Sequence, residues 1–140
     1  MRSILVVAFA SWCVAANAAD FPPATDYLNS GLDCASERNV GSCKYSKEAW
    51  PNDYNAAIKG DYQGQRNVSY CLSTGCNGAI RENKILGCAW RFVIVESGHL
   101  SADSSDTTNL KYYCGPEHID KAGLATAEAQ ARRLLKMIEH

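Results

Sequence analysis

The chain has 140 residues, 46% of them hydrophobic, with 14 Lys and Arg residues against 15 Asp and Glu residues. This length corresponds to one domain, and the balanced charges form no basic block, which disfavours a nucleic-acid partner because phosphate binding needs a concentrated positive face. Beyond residue 18, no apolar segment approaches the roughly 20 residues that a membrane-spanning helix needs, so no membrane partner is expected there.

The N-terminal segment has the pattern of a cleaved signal peptide. Arg2 supplies a positive charge, Ile4–Ala16 form an apolar run, and Ala16–Ala18 (Ala-Asn-Ala) is a small-x-small cleavage site. The run is too short to span a bilayer comfortably, which favours cleavage over a retained anchor. We therefore predict a signal peptide at 1–18 and a single mature domain at 19–140, located in the periplasm or secreted.

Helical periodicity and capping residues predict an all-α domain. Asp61 and Asn83 are good N-cap residues, and Gly60 and Gly75 follow helical stretches as stop signals. No segment shows sustained two-residue alternation, although Val93–Val95 taken alone also suits a strand. The predicted helices are Tyr27–Ala35, Pro51 to the residue before Gly60, Tyr62–Thr74, Lys84–Ser97, Asp106–Tyr113 and Pro116–Ile138. We expect five or six short helices joined by tight loops.

Six cysteines follow the predicted signal peptide. They are Cys34, Cys43, Cys71, Cys76, Cys88 and Cys114. An even set in a short exported chain indicates a disulfide framework, and proximity along the chain favours the pairs 34–43 and 71–76, which leaves 88–114. A zinc site is disfavoured because the histidines do not pair with cysteines at ligand spacing, and a redox pair is disfavoured because no C-x-x-C occurs. No cofactor is expected.

The segment Asp61–Gly98 has the spacing of a helix–loop–helix unit. Its marker residues are Gly75, Gly78, Asn83, Gly87, Trp90 and Gly98. Glycines let the loop turn back sharply, a small residue at position 87 lets two helices approach closely, and Trp90 fills the space between units. With these residues the segment resembles one Sel1-like repeat, a relative of the tetratricopeptide repeat, as in a small exported bacterial member of that family.

The resemblance departs from the family pattern at several positions. Two residues instead of one separate Gly75 from Gly78, and Leu72 stands where the family has a tyrosine. Another helical hairpin with glycine turns and a core tryptophan would share these features. The chain has room for about two and a half repeats, so the disulfides would supply the stability that a further repeat otherwise provides. The family consists largely of adaptors and binding scaffolds, which implies a binding role here.

The sequence contains none of the common catalytic motifs. His99 and His118 lie in or beside predicted loops and are interpreted as surface residues. Asp103 and Asp106 resemble a catalytic carboxylate pair, but a solvated loop with a helix cap at Asp106 explains them better. Tyr112 and Tyr113 cannot both face inward on a short helix, so one of them is expected to be exposed.

These observations favour a non-catalytic exported module that mediates protein–protein interaction in the periplasm, as a monomer or small oligomer. The partner is a protein that the sequence does not identify. The contact surface is expected on the concave face and on the loops around Gly75–Glu82 and Ser101–Thr108. The alternatives are an immunity or inhibitor protein that neutralises an envelope-targeting toxin enzyme, a small cell-envelope hydrolase using His118 or Asp103, and an assembly factor that oligomerises through its ends.

Overall fold

The computed structural model describes residues 21–31 and 33–138, and within these ranges the chain is all-helical, with no strand. The five α-helices are α1 (Val40–Ala57), α2 (Tyr62–Thr74), α3 (Lys84–Glu96), α4 (Ser104–Tyr113) and α5 (Lys121–Ile138). Two short 3-10 helices, Ala24–Tyr27 and Cys34–Ser36, precede them. The predicted signal peptide lies outside the described residues. None of the described helices is both long and apolar enough to cross a membrane.

The hairpin of α2 and α3 begins and ends close to where the local sequence signals place it. The Asp61 carboxylate accepts a hydrogen bond from the Gly64 backbone at 2.6 Å, and Gly75 ends α2 with a φ of +76°. The Asn83 side chain accepts a hydrogen bond from the Leu86 backbone at 3.0 Å and begins α3. These ends were predictable because the caps are local interactions.

The prediction of a helix at Tyr27–Ala35 is wrong. Residues after the first 3-10 helix pair instead with the loop after α2, where Leu28 and Ile80 form an isolated antiparallel bridge. The Asn29 amide donates to the Ala79 carbonyl at 3.0 Å, and the Arg81 amide donates to the Tyr27 carbonyl at 2.9 Å. These long-range bonds use backbone groups that a helix would need for itself.

Helix α1 begins at Val40, well before the predicted start at Pro51, which lies inside the helix. An interior proline removes one backbone hydrogen bond, and tertiary contacts offset this cost. Trp50 Nε1 donates to the Ala24 carbonyl at 2.8 Å, and the Tyr54 hydroxyl donates to the Pro22 carbonyl at 2.8 Å. Both rings are buried, so the N-terminal segment fixes the helix around the proline.

Two later helix starts also differ from prediction. Helix α4 begins at Ser104 because Asp103 is its N-cap, not Asp106. Helix α5 begins at Lys121 instead of Pro116, after a turn in which the Asp120 carboxylate accepts from the Gly123 amide at 2.7 Å. In both cases an aspartate outside the expected position caps the helix.

Helix α3 lies at the centre and packs against α2, α4 and α5. Helices α2 and α3 approach closely at Gly87, where an added Cβ would lie 2.5 Å from Ser73 Oγ. Because the start of α3 meets the end of α2, the two helices run antiparallel. Trp90 and Val93 on α3 are almost fully buried in the core.

Three disulfides connect these elements, in the pairs that chain proximity favours. Cα–Cα distances are 5.6 Å for Cys34–Cys43, 4.7 Å for Cys71–Cys76 and 5.3 Å for Cys88–Cys114. The first joins the second 3-10 helix to α1, and the second joins the end of α2 to the following loop. The third is the only one of them that joins two α-helices, α3 and the C-terminal end of α4.

Candidate functional site

A single charged residue interrupts the apolar centre of α3. Arg91 is the only charged side chain between Lys84 and Glu96, and only 5% of its surface is exposed. Transferring a charge from water into a protein interior is costly unless the charge is paired or hydrogen-bonded. An arginine at this position therefore needs an explanation from its surroundings.

The guanidinium of Arg91 packs on an aromatic ring held by a disulfide. Its Cζ atom lies 3.9 Å from the centroid of the Tyr113 ring, within the range of a cation–π interaction. Tyr113 precedes Cys114, which is bonded to Cys88. Cys88 and Arg91 are three residues apart and share one face of α3. The disulfide thus holds the Tyr113 ring beside the guanidinium.

Within the described part of the chain, the Tyr113 ring is the main group that offsets the cost of burying the Arg91 charge. Arg91 has no carboxylate within salt-bridge distance there, and its buried Nε has no hydrogen-bond partner among those residues. The pKa of Arg91 is lowered to about 10, chiefly by burial; Tyr113 opposes this shift, the charge of Arg66 adds to it, and Asp106 opposes it. The side chain therefore remains positively charged at neutral pH.

A second arginine, Arg66 on α2, lies near Arg91 but has its own partners. Its Nε lies 3.4 Å from Oδ1 of Asp106, a carboxylate that is 4% exposed. The same carboxylate accepts hydrogen bonds from the Tyr62 hydroxyl at 2.6 Å and from the Asp103 backbone amide at 3.0 Å. The bond to Asp106 raises the pKa of the Tyr62 hydroxyl above its usual value. Asp106 is therefore bonded to three other groups and forms no salt bridge with Arg91.

The two arginines line a polar cleft of about 460 Å³ between α2, α3 and α4. Its lining residues are Gln63, Arg66, Asn67, Tyr70, Arg91, Asn109 and Tyr113. They include two positive charges and no negative one. Asn67 is fixed by its amide hydrogen bond to Asp53 at 2.9 Å. The cleft is therefore a positively charged site with several neutral hydrogen-bonding groups.

Exposed tyrosines border this cleft. Tyr70 is 51% exposed and, like Asn67, also lines a neighbouring shallow cleft of about 260 Å³ that includes Tyr45. Tyr45 is 73% exposed. The polar cleft is thus continuous with a surface that carries large aromatic side chains.

The residues of the repeat pattern form the α2–α3 hairpin and none of them lines the polar cleft. Gly75, Gly78 and Gly98 all have positive φ angles, of +76°, +80° and +67°. Asn83 caps α3, and Gly87 and Trp90 lie in the packed interior. These residues form turns, a helix cap and the packed interior of the hairpin. The charged groups of the cleft lie on the side of the hairpin that faces α4.

The carboxylates and histidines considered for catalysis have structural contacts. Asp103 and Asp106 form a reciprocal capping box at the start of α4, so both act in a helix cap, but the N-cap is Asp103 and Asp106 is buried. His99 stacks on Tyr62 with 5.0 Å between ring centroids. His118 packs against Tyr112 at 4.7 Å, beyond the other end of α4. Ten residues of helix, roughly 15 Å, separate the ends, so Asp103 and His118 are not brought together.

The two adjacent tyrosines at the end of α4 differ in exposure. Tyr112 is 59% exposed and Tyr113 packs on Arg91, which confirms that only one of the pair is freely exposed. Within residues 21–31 and 33–138, no three His, Cys, Asp or Glu side chains are grouped to hold a metal ion.

The two loops expected to form the contact surface differ in accessibility. In Gly75–Glu82, Ala79 and Ile80 are buried under the N-terminal segment. In Ser101–Thr108, most side chains are exposed, and the Ser105 hydroxyl lies 3.4 Å from Nη2 of Arg66. Only the second loop adjoins the polar cleft.

Sequence reasoning did not identify Arg66 and Arg91 as site residues. The available signal was the single arginine in the apolar run from Ile85 to Val95. Periodicity treats such a residue as the polar side of a helix, whereas α3 is covered on several sides. Comparison of the chain with protein-family models, with curated proteins and with solved structures found no match.

Proposed function

We propose that this protein is a non-catalytic, exported protein-binding module whose binding face is centred on the cleft of Arg66 and Arg91. The observation that carries the proposal is the buried charge of Arg91, which has no carboxylate partner within residues 21–31 and 33–138 and borders an open cleft. Arginine and tyrosine are enriched where protein–protein interfaces concentrate their binding energy. Tyr70 and Tyr45 on the adjoining surface fit the same role.

The framework suits a binding role in an oxidising compartment. Three disulfides persist in the periplasm or outside the cell and are rare in the cytosol, which supports export. The α2–α3 hairpin, which we propose to be a Sel1-like unit, holds Arg66 and Arg91 on rigid helices. Asp103 and Asp106 are occupied in capping α4, which argues against acid–base catalysis by them.

Affinity capture from envelope extract tests the proposal. The bait is the oxidised mature chain, compared with a Tyr70→Ala variant and with Tyr112→Ala, a matched control in which a similarly exposed tyrosine outside the cleft is removed. We expect one protein to bind the wild type and Tyr112→Ala but to be lost with Tyr70→Ala. Failure to enrich any protein, or equal capture by all three baits, would contradict the proposal.

The identity of a captured protein would distinguish the versions of this function. An envelope-targeting toxin enzyme, inhibited on binding, would indicate an immunity protein. A non-toxic envelope protein would indicate an adaptor. Sedimentation of the free chain over a concentration range separates both from an assembly factor, which would form oligomers without a second protein.

A further inference from the structure

We propose that the polar cleft binds a single carboxylate group of the partner protein, from an acidic side chain or a C-terminus. This inference rests on the proposed function and names the chemistry of its central contact.

The charge balance calls for one negative charge. Arg66 and Arg91 contribute two positive charges, and Asp106, just behind Arg66, contributes one negative charge. Because Asp106 is already bonded to Arg66, Tyr62 and the Asp103 amide, one positive charge remains at Arg91. A carboxylate neutralises that charge. A phosphate, which carries about −1.5 to −2 at neutral pH, would leave excess negative charge beside the buried Asp106.

The orientation of Arg91 favours a planar acceptor. The Tyr113 ring covers the face of the guanidinium, and stacking of this kind leaves the N–H edge free for hydrogen bonds in its plane. A carboxylate matches this edge with two parallel hydrogen bonds, which adds strength and geometric specificity. Nε of Arg91 is itself buried and without a partner in the described residues, so the terminal Nη groups are those that a carboxylate in the cleft would bond.

The neutral residues of the cleft support the same ligand. Gln63 and Asn109 carry amide groups, and Tyr70 carries a hydroxyl group, all of which can donate to a carboxylate oxygen. None adds a repelling negative charge. The cleft opens between α2 and α4 and, at about 460 Å³, has room for the end of one acidic side chain or of one chain terminus.

Titrating short peptides into the oxidised, ¹⁵N-labelled protein tests this inference, with the Arg91 Nε–H signal as the NMR readout. One peptide contains glutamate and has an amidated C-terminus, and its control has glutamine instead. A third has no acidic side chain but a free C-terminus, and a fourth contains phosphoserine. We expect a carboxylate peptide to shift the Arg91 signal and to bind at least about tenfold more tightly than the glutamine peptide, since losing a charged hydrogen bond costs about 1.5–3 kcal/mol.

The pattern of binding identifies the source of the carboxylate. Binding of the glutamate peptide indicates a side chain, and binding of the third peptide indicates a C-terminus. Equal binding of the glutamate and glutamine peptides with no third-peptide binding, or tighter binding of the phosphoserine peptide, would overturn the inference.

An Asn109→Asp variant provides a second test that leaves the buried arginine in place. The new carboxylate lines the cleft and should occupy Arg91 internally. We expect peptide affinity to fall at least about tenfold, as when a charged hydrogen bond is lost. Unchanged affinity in a folded variant would contradict the inference. If a protein is captured in a way that depends on Tyr70 while none of the peptides binds, the carboxylate inference is wrong and the binding function stands. The reverse result would show that the cleft binds carboxylates and would refute its use as the protein-binding face.

Discussion

At the scale of single residues, the positive charge available at the cleft depends on a series of contacts that begins at the cap of α4. Asp103 caps α4, and its backbone amide holds Asp106. Asp106 in turn pairs with Arg66, so Arg91 is left without that carboxylate. The positive charge available at the cleft is therefore a consequence of how the first turn of α4 is capped.

The Asp103 cap makes a pH-dependent contribution to the free energy of unfolding, and this contribution can be measured. Hydrogen bonds from the Ser105 side chain and backbone lower the pKa of Asp103 below its usual value. A depressed carboxyl pKa stabilises the fold above the unfolded-state pKa of about 4, and that stabilisation is lost as the pH falls toward the folded value. Asp103→Ala should therefore lower the urea midpoint at pH 7, and the difference from wild type should shrink below about pH 4.

Asp103→Asn is the matched control, because an asparagine can still cap the helix but has no carboxyl group to titrate. Its urea midpoint at pH 7 should lie between those of the wild type and Asp103→Ala. Denaturation curves from pH 2.5 to 7 supply the measurement. An Asp103→Ala difference that stays constant over this whole range would show that the charge of Asp103 does not contribute.

At the scale of helices, sequence signals succeed where the determining contacts are local. Asp61, Gly75 and Asn83 fix the ends of α2 and α3 because each bonds within its own turn. Pro51 misleads because local propensity disfavours it in a helix, whereas Trp50 and Tyr54 are tied to the N-terminal segment. The cleft depends on how three helices meet, which no local pattern contains. Arg91 was visible as an unusual residue, but its surroundings were not.

For the stability of a Gly87→Ala variant, the close approach of α2 and α3 predicts the opposite effect from helix propensity. Replacing an interior glycine with alanine normally stabilises a helix by up to about 1 kcal/mol. At Gly87 the new Cβ would lie 2.5 Å from Ser73 Oγ and 3.1 Å from two backbone atoms of α2. Gly87→Ala should therefore reduce the free energy of unfolding by about 1–3 kcal/mol, as overpacking does.

Gly41→Ala is the control for this prediction. Gly41 lies in the first turn of α1, and the nearest atom to an added Cβ is Asn39 Oδ1 at 4.0 Å. This variant should be neutral or slightly more stable than wild type in urea denaturation. If Gly87→Ala were as stable as Gly41→Ala, the two helices would have room to separate, and the packing of the hairpin would be looser than described.

At the scale of the whole molecule, the three disulfides differ in what they hold. Cys71–Cys76 closes a loop with a sequence separation of 5, whereas Cys88–Cys114 closes one of 26 and joins α3 to α4. Loop-closure entropy alone gives roughly 2 kcal/mol for the first and about 3–4 kcal/mol for the second. The second also joins α3, which carries Arg91, to the end of α4, where Tyr113 precedes Cys114, whereas Cys71–Cys76 stays at the end of α2, next to Tyr70.

Removing each pair separately distinguishes general stability from the integrity of the cleft. Cys88→Ala with Cys114→Ala should cost about 3–4 kcal/mol in urea denaturation, and Cys71→Ala with Cys76→Ala about 2 kcal/mol. The first variant should also shift the Arg91 Nε–H signal, since the end of α4 is released and Tyr113 can move away from the guanidinium. The second should leave that signal in place. Equal effects of the two variants on Arg91 would mean that the disulfides support the core as a whole, and that α3 and α4 hold the arginine and the ring together without a covalent link.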